Sequence, residues 1–152
     1  MGNLILYGTS GICWLVGLIL PGNWALAICA LPFWLLLCAV IHESGHILGC
    51  RWHKTPVTEI CTPLFLWNGQ LRLRKSLRPD SYCCFPVTGN PRIYLWGPGF
   101  STALWLLVWI AFLLSDNPCL LLGSIVTFVV AVGNWIPWKS TDMAQFLSAR
   151  KK

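Results

Sequence analysis

The stretch WALAICALPFWLLLCAVIHESGHILGC, residues 24–50, is an apolar run that ends in a cluster of ionisable side chains. It is long enough to cross a bilayer, because a helical span needs roughly 17 to 25 predominantly apolar residues. His42, Glu43 and His46 lie near its end. At about 100° per residue, His42 and His46 project from one face of a helix, so both imidazoles can reach a single metal ion. The stretch therefore predicts a membrane helix that carries a metal site.

The His-Glu-x-x-His pattern in this stretch is typical of zinc hydrolases, in which the two histidines bind the metal and the glutamate acts as general base toward water. The alternative is that His42 and His46 are ordinary helix histidines at an accidental spacing. Membrane context argues against accident, because ionisable groups in lipid are costly unless they are paired or bound to metal. We therefore interpret His42 and His46 as zinc ligands and Glu43 as the catalytic residue.

Composition places the chain among membrane proteins. Of its 152 residues, 56% are hydrophobic and only 11% are charged, well outside the range of soluble domains. The first apolar stretch could instead be a signal peptide, but no Lys or Arg precedes Leu4 as such a peptide requires. We predict one all-α integral membrane domain, residues 1–152, with about four transmembrane helices at residues 4–20, 24–50, 93–115 and 119–137.

The basic residues fall on one side of this four-span topology. All 11 Lys and Arg lie between Arg51 and Arg92 or after Pro137, and the two loops on the other side contain none. By the positive-inside rule the basic side is cytoplasmic, which predicts a multi-pass protein of the cell membrane with both termini in the cytoplasm. Because the Lys and Arg residues are confined to the loops on one side of the membrane, we expect them to interact with the lipid bilayer and not with nucleic acid.

The polar segment 51–92 contains the sequence LFLWNGQLRLR, residues 64–74, which alternates around Asn68-Gly69. This pattern predicts a small β-hairpin with a two-residue turn and positive φ at both turn residues. The hairpin could be a lid packed on the helix ends, or an edge strand to which an extended substrate adds. We favour the second role, because a protease holds its substrate extended.

A catalytic zinc site normally takes three protein ligands, so one remains to be found after the two histidines. A metzincin would need histidine where Trp52 stands. Glu59 is too close to the motif to come from a separate helix, and Asp116 falls on the opposite side of the membrane. These three positions are therefore set aside.

Asp80 and Asp142 remain as candidates for the third ligand. Asp142 follows a span that returns to the side of His46, and Asn134 and Pro137 before it can open the helix end near the metal. Asp142 could instead be a simple charge at the start of a short helix. We favour Asp142 as the ligand.

The chain resembles the site-2 protease family of intramembrane zinc metalloproteases. The resemblance lies in HESGH at residues 42–46, Gly97-Pro98 early in the next span, and Asn134-x-x-Pro137 ahead of Asp142. It implies zinc held by His42, His46 and Asp142, with Glu43 as general base. It also implies membrane-tethered substrates such as sigma-factor precursors, anti-sigma factors or leftover signal peptides. The family usually has glycine where Met143 follows the aspartate.

The sequence thus predicts a zinc metalloendopeptidase that binds one zinc ion per chain and cleaves a membrane-spanning protein near the cytoplasmic face. A membrane scaffold that retains zinc without cleaving is the first alternative, and a retained Glu43 argues against it. A metal transporter or chaperone is the second, but it would need further ionisable groups in the other spans. A regulatory membrane partner and a homo-oligomer are both left open.

Overall fold

The computed structural model describes residues 11–13, 15–16, 23–62, 65–73, 82–84, 90–138 and 141–150. The predicted first span, 4–20, lies outside the described residues except for 11–13 and 15–16, which are helical. Helices follow at Asn23–Cys29 (α1), Leu31–Trp52 (α2), Ile93–Ser115 (α3), Pro118–Trp135 (α4) and Asp142–Ala149 (α5), and strands at Glu59–Cys61 (β1), Phe65–Trp67 (β2), Leu71–Leu73 (β3) and Tyr82–Cys84 (β4).

Three of these helices, α2, α3 and α4, are long and apolar enough to cross a membrane. Asp116, in the left-handed conformation at φ 48°, and Asn117, which caps α4, form the short link that turns α4 back along α3. Large apolar side chains on the outer faces stay exposed, as lipid-facing residues do. They include Leu107, Ile110, Leu114, Ile125 and Val129. The chain is therefore a mostly helical membrane protein.

We had expected the second span, residues 24–50, to be one continuous helix. The structure instead divides it into α1 and α2. The chain breaks between α1 and α2 at Ala30, and Pro32 occupies the first turn of α2. Proline has no amide hydrogen, and its ring crowds the carbonyl four residues earlier, so it is favoured in the first turn of a helix and disfavoured in the middle of one. As a result α2 begins at Leu31 and carries the His-Glu-x-x-His motif in its second half.

Close packing between α2 and α3 depends on two glycines of α2, one turn apart. A methyl group at Gly45 would meet the backbone of Trp96, and one at Gly49 would meet its indole ring. Small residues at this spacing allow helix backbones to approach closely in a membrane. This approach brings the motif of α2 against the first turns of α3.

The polar segment forms a four-stranded antiparallel sheet in the order β3-β2-β1-β4. The predicted hairpin is present as β2 and β3, with Leu66 opposite Arg72 and Trp67 opposite Leu71. The sequence did not indicate β1 and β4, because they pair with each other across a long segment and no turn signal joins them.

The hairpin turn differs from the predicted two-residue type. Asn68, Gly69 and Gln70 all lie between the paired residues Trp67 and Leu71, so the loop has three residues. Gly69 has the expected positive φ, at 92°, but Asn68 does not. The expectation for Asn68 was wrong: in this three-residue loop Gly69 alone supplies the positive φ.

Candidate metal centre

His42, His46 and Asp142 meet at one point, although α2 and α5 lie far apart in sequence. The Nε2 atoms of the two histidines are 3.2 Å apart. Asp142 Oδ2 lies 2.8 Å from Nε2 of His42 and 3.1 Å from Nε2 of His46. One turn of helix separates the histidines, as the i, i+4 spacing requires.

His46 is held by the backbone of α3. Its Nδ1 lies 3.1 Å from the carbonyl oxygen of Ile93, the first residue of that helix. A carbonyl oxygen only accepts hydrogen bonds, so Nδ1 carries a proton. When the ring is neutral, Nε2 has its lone pair toward Asp142 and His42, and this is the tautomer that a metal ligand needs.

His42 has polar partners from two other helices. Its Nδ1 lies 3.0 Å from Ser101 Oγ on α3 and 3.1 Å from the side-chain amide of Asn134 on α4. The amide nitrogen of Asn134 faces the ring and can only donate to Nδ1, whereas the Ser101 hydroxyl can either donate or accept. These contacts fix the plane of the imidazole and leave Nε2 for the shared point.

The donor set suits a divalent cation. Nε2 of each imidazole and Oδ2 of Asp142 are atoms that can give an electron pair to a metal, and at these separations a cation or shared protons must lie between them. Tetrahedral zinc with bonds of about 2.0 to 2.2 Å separates its ligand atoms by about 3.4 Å. The shortest separations here, 2.8 to 3.2 Å, are all below that value, so the three atoms are within reach of one ion and would move slightly apart around it.

Asp142 is the first residue of α5 and is kept in place by Thr141 before it. The Thr141 hydroxyl lies 2.7 Å from the carbonyl oxygen of Ile136 and 2.9 Å from that of Trp138, which folds the chain back after α4. Burial opposes ionisation of Asp142, but its close contacts with the imidazoles of His42 and His46 outweigh burial and lower its pKa to about 2. The carboxylate is therefore negatively charged at neutral pH.

Glu43 lies beside the three converging residues. Its side chain is buried and lines the same cavity of about 440 Å³ as His42, His46 and Asp142. Burial, together with the nearby Cys50, raises the pKa of Cys83 on the cavity wall to about 12. That thiol is therefore protonated at neutral pH, and the carboxylates of Glu43 and Asp142 are the acidic groups of the cavity.

Gly97 on α3 leaves room for the two imidazoles. A methyl group at this position would lie 2.8 Å from Cε1 of His42 and 2.7 Å from Cε1 of His46, closer than Cβ atoms approach other groups. The helix nevertheless continues unbroken through Pro98, where we had expected it to loosen. The contribution of Gly97-Pro98-Gly99 is thus close approach, not a break.

The structure brings together the residues that the sequence singled out and separates the rejected ones. Asp116 ends α3 at the opposite end of the bundle, and Glu59 lies on β1. Asp80, the remaining alternative, lies outside the described residues. Sequence reasoning missed Ser101 and the Ile93 carbonyl, because no local pattern marks a contact made across helices.

Comparison with protein-family models, with curated proteins and with solved structures finds no match to this chain. The resemblance to site-2 proteases therefore stays a prediction from the residues alone.

Proposed function

We propose that this protein is an intramembrane zinc metalloendopeptidase. The observation that carries the proposal is the convergence of two imidazoles and one carboxylate, His42, His46 and Asp142, with a second carboxylate, Glu43, on the wall of the same cavity. Three such ligands leave an open position on the metal, which catalytic zinc sites have and structural sites lack. The resemblance to site-2 proteases points to the same assignment.

The roles of the protein groups follow from their chemistry. His42, His46 and Asp142 would hold the ion, and bound zinc supplies a Lewis acid that polarises a carbonyl and makes water more acidic. Glu43 accepts a proton from the attacking water and delivers it to the leaving amine. Burial of Glu43 excludes competing solvent around it, which strengthens its interaction with charge that develops nearby.

The substrate would lie extended between α2 and the sheet. A second groove of about 310 Å³ runs there, and Glu43 forms part of its wall as well. Trp67 and Leu71 of the hairpin and Ile60 of β1 line this groove with apolar groups. An unwound segment of a membrane-spanning protein could place an apolar side chain here and its scissile bond at Glu43, which supports the substrate-holding role of the hairpin.

The site would act near the cytoplasmic face of the membrane. The metal cavity lies at the level of the first turns of α3 and the last turn of α4, not at the middle of either helix. Lys and Arg are concentrated at that end of the chain's spans, which supports cytoplasmic orientation of both termini. Membrane-tethered proteins are the substrates such a site would reach.

A cleavage assay with a panel of single-span peptides tests the proposal. Glu43→Gln keeps the size of the side chain and removes the base, so zinc should stay bound while cleavage falls by roughly 100- to 10,000-fold. Glu59→Gln, the matched change at the other glutamate, lies on β1 outside the metal cavity and should cleave like wild type.

Two outcomes would count against it. Equal cleavage by wild type and Glu43→Gln would remove Glu43 from the reaction. Full zinc content with no cleavage of any peptide by wild type would favour the zinc-retaining scaffold.

A further inference from the structure

A large groove lies outside the metal centre, where α5 packs against α3. Its volume is about 850 Å³. Trp96, Gly99 and Ala103 of α3 and Phe146 of α5 line it. Arg92, just before α3, and Arg150, just after α5, line it as well. From Arg92 to Ala103 the helix rises about 16 Å, so the groove runs from the end of α3 well into its apolar length. We call it the interfacial groove.

The interfacial groove has a cationic mouth and an apolar floor. Arg92 precedes α3 and Arg150 follows α5, and both are exposed. In the part of the chain that the structure describes, neither guanidinium lies within 4.0 Å of a carboxylate, and the recorded ion pairs are those of Asp142 with the two histidines. Arg150 instead lies over the Phe146 ring, 5.8 Å from its centre.

A cationic mouth and an apolar floor together match a molecule that has an anionic headgroup and an acyl chain. Two cations without a carboxylate partner at the membrane–water boundary attract an anionic headgroup, and basic pockets at helix ends on the cytoplasmic side bind acidic lipids. The floor formed by Trp96, Gly99 and Ala103 has the polarity of an acyl chain. A free phosphate would leave this floor uncovered, and an apolar helix of a partner would leave both arginines without a counter-charge.

We propose that the interfacial groove binds an anionic phospholipid. The phosphate lies between Arg92 and Arg150, and an acyl chain lies along Trp96, Gly99 and Ala103. This inference depends on the membrane location of the chain and not on its protease activity.

Binding there also affects the helix packing behind it. Trp96 lies against Gly45 and Gly49 of α2 on one side and lines the groove on the other. A lipid that covers Trp96 therefore stabilises the contact between α2 and α3. The bound lipid should raise the temperature at which the purified protein unfolds.

Native mass spectrometry of the full chain in neutral detergent tests the proposal. The probes are phosphatidylglycerol and phosphatidylcholine with the same acyl chains. Two cations near an anionic headgroup should favour phosphatidylglycerol by about twenty-five-fold, at about fivefold for each. Arg92→Gln/Arg150→Gln should lose this preference. Arg72→Gln/Arg74→Gln, which removes the same charge within and just after β3, should keep it.

A second pair of variants tests the apolar floor. A methyl group at Gly99 or at Gly133 would meet nothing within 4 Å, so leucine should be tolerated at both. Gly99→Leu fills the groove and should weaken binding of phosphatidylglycerol about tenfold or more, since leucine occupies the space of several methylene groups. Gly133→Leu, on α4 outside the groove, should leave it unchanged.

Three results would overturn the proposal. The first is equal affinity of wild type for the two lipids, and the second is an unchanged preference in Arg92→Gln/Arg150→Gln. The third comes from a photo-cross-linking residue at Ala103 in membranes: an adduct of lipid mass is expected, and an adduct of protein mass would mean that the groove holds a partner helix.

Discussion

Gly97 lies against both histidines, and its size controls whether the metal ligands can meet. Gly97→Ala should displace the imidazoles and lower zinc affinity by about tenfold or more, with a matching loss of cleavage, because it disturbs two ligands together. Gly99→Ala is the matched control, since a methyl group there meets nothing within 4 Å and alanine favours the helix. Zinc analysis of the two purified variants checks this, and equal zinc in both would show that α3 does not constrain the site.

At the residue scale, the sequence predicts those parts of the site that lie on one helix. The spacing of His42, Glu43 and His46 follows from helix geometry, and elimination among few acids led to Asp142. The Ser101 contact with His42 depends on how α3 packs against α2, which no local pattern encodes. Met143 stands where site-2 proteases usually have glycine, but it lies inside α5, where ordinary helical backbone suits any side chain.

At the scale of elements, the hairpin of β2 and β3 should depend on Gly69. Its φ of 92° is one that β-branched residues rarely adopt, so Gly69→Val should strain the turn by about 1 to 2 kcal/mol and disturb the wall of the groove beside Glu43. Cleavage should fall while zinc content holds. Gly69→Asn, which tolerates positive φ better, should lose less. A Gly69→Val protein that cleaves like wild type would mean that the hairpin does not hold substrate.

The bounds of α3 match the prediction, and those of α4 match it within two residues, because long uncharged runs between polar loops define them. The other elements were harder to predict. Pro32 separates α1 from α2 within one apolar run, and a prediction from hydrophobicity alone does not detect that break. The strands β1 and β4 pair with each other across a long segment, so their existence depends on tertiary contacts and not on local pattern.

At the scale of the whole molecule, the one-sided distribution of Lys and Arg predicts cytoplasmic termini and a cytoplasmic 51–92 segment. Single cysteines placed at Ser81 and Lys152 in a cysteine-free background test this, with one at Asn117 as the external control. A membrane-impermeant thiol reagent applied to intact cells should label only the Asn117 probe. Strong labelling of the other two would reverse the orientation.

The central claim is that folding brings α2 and α5 together to make one zinc site. Asp142 is the part that joins them, because it meets both histidines from a helix that follows the last span. The direct measurement is the zinc content of purified wild type, Glu43→Gln and Asp142→Asn. Wild type and Glu43→Gln should each hold one zinc per chain, and Asp142→Asn should hold clearly less, because it loses a charged ligand. Full zinc in Asp142→Asn would contradict the claim.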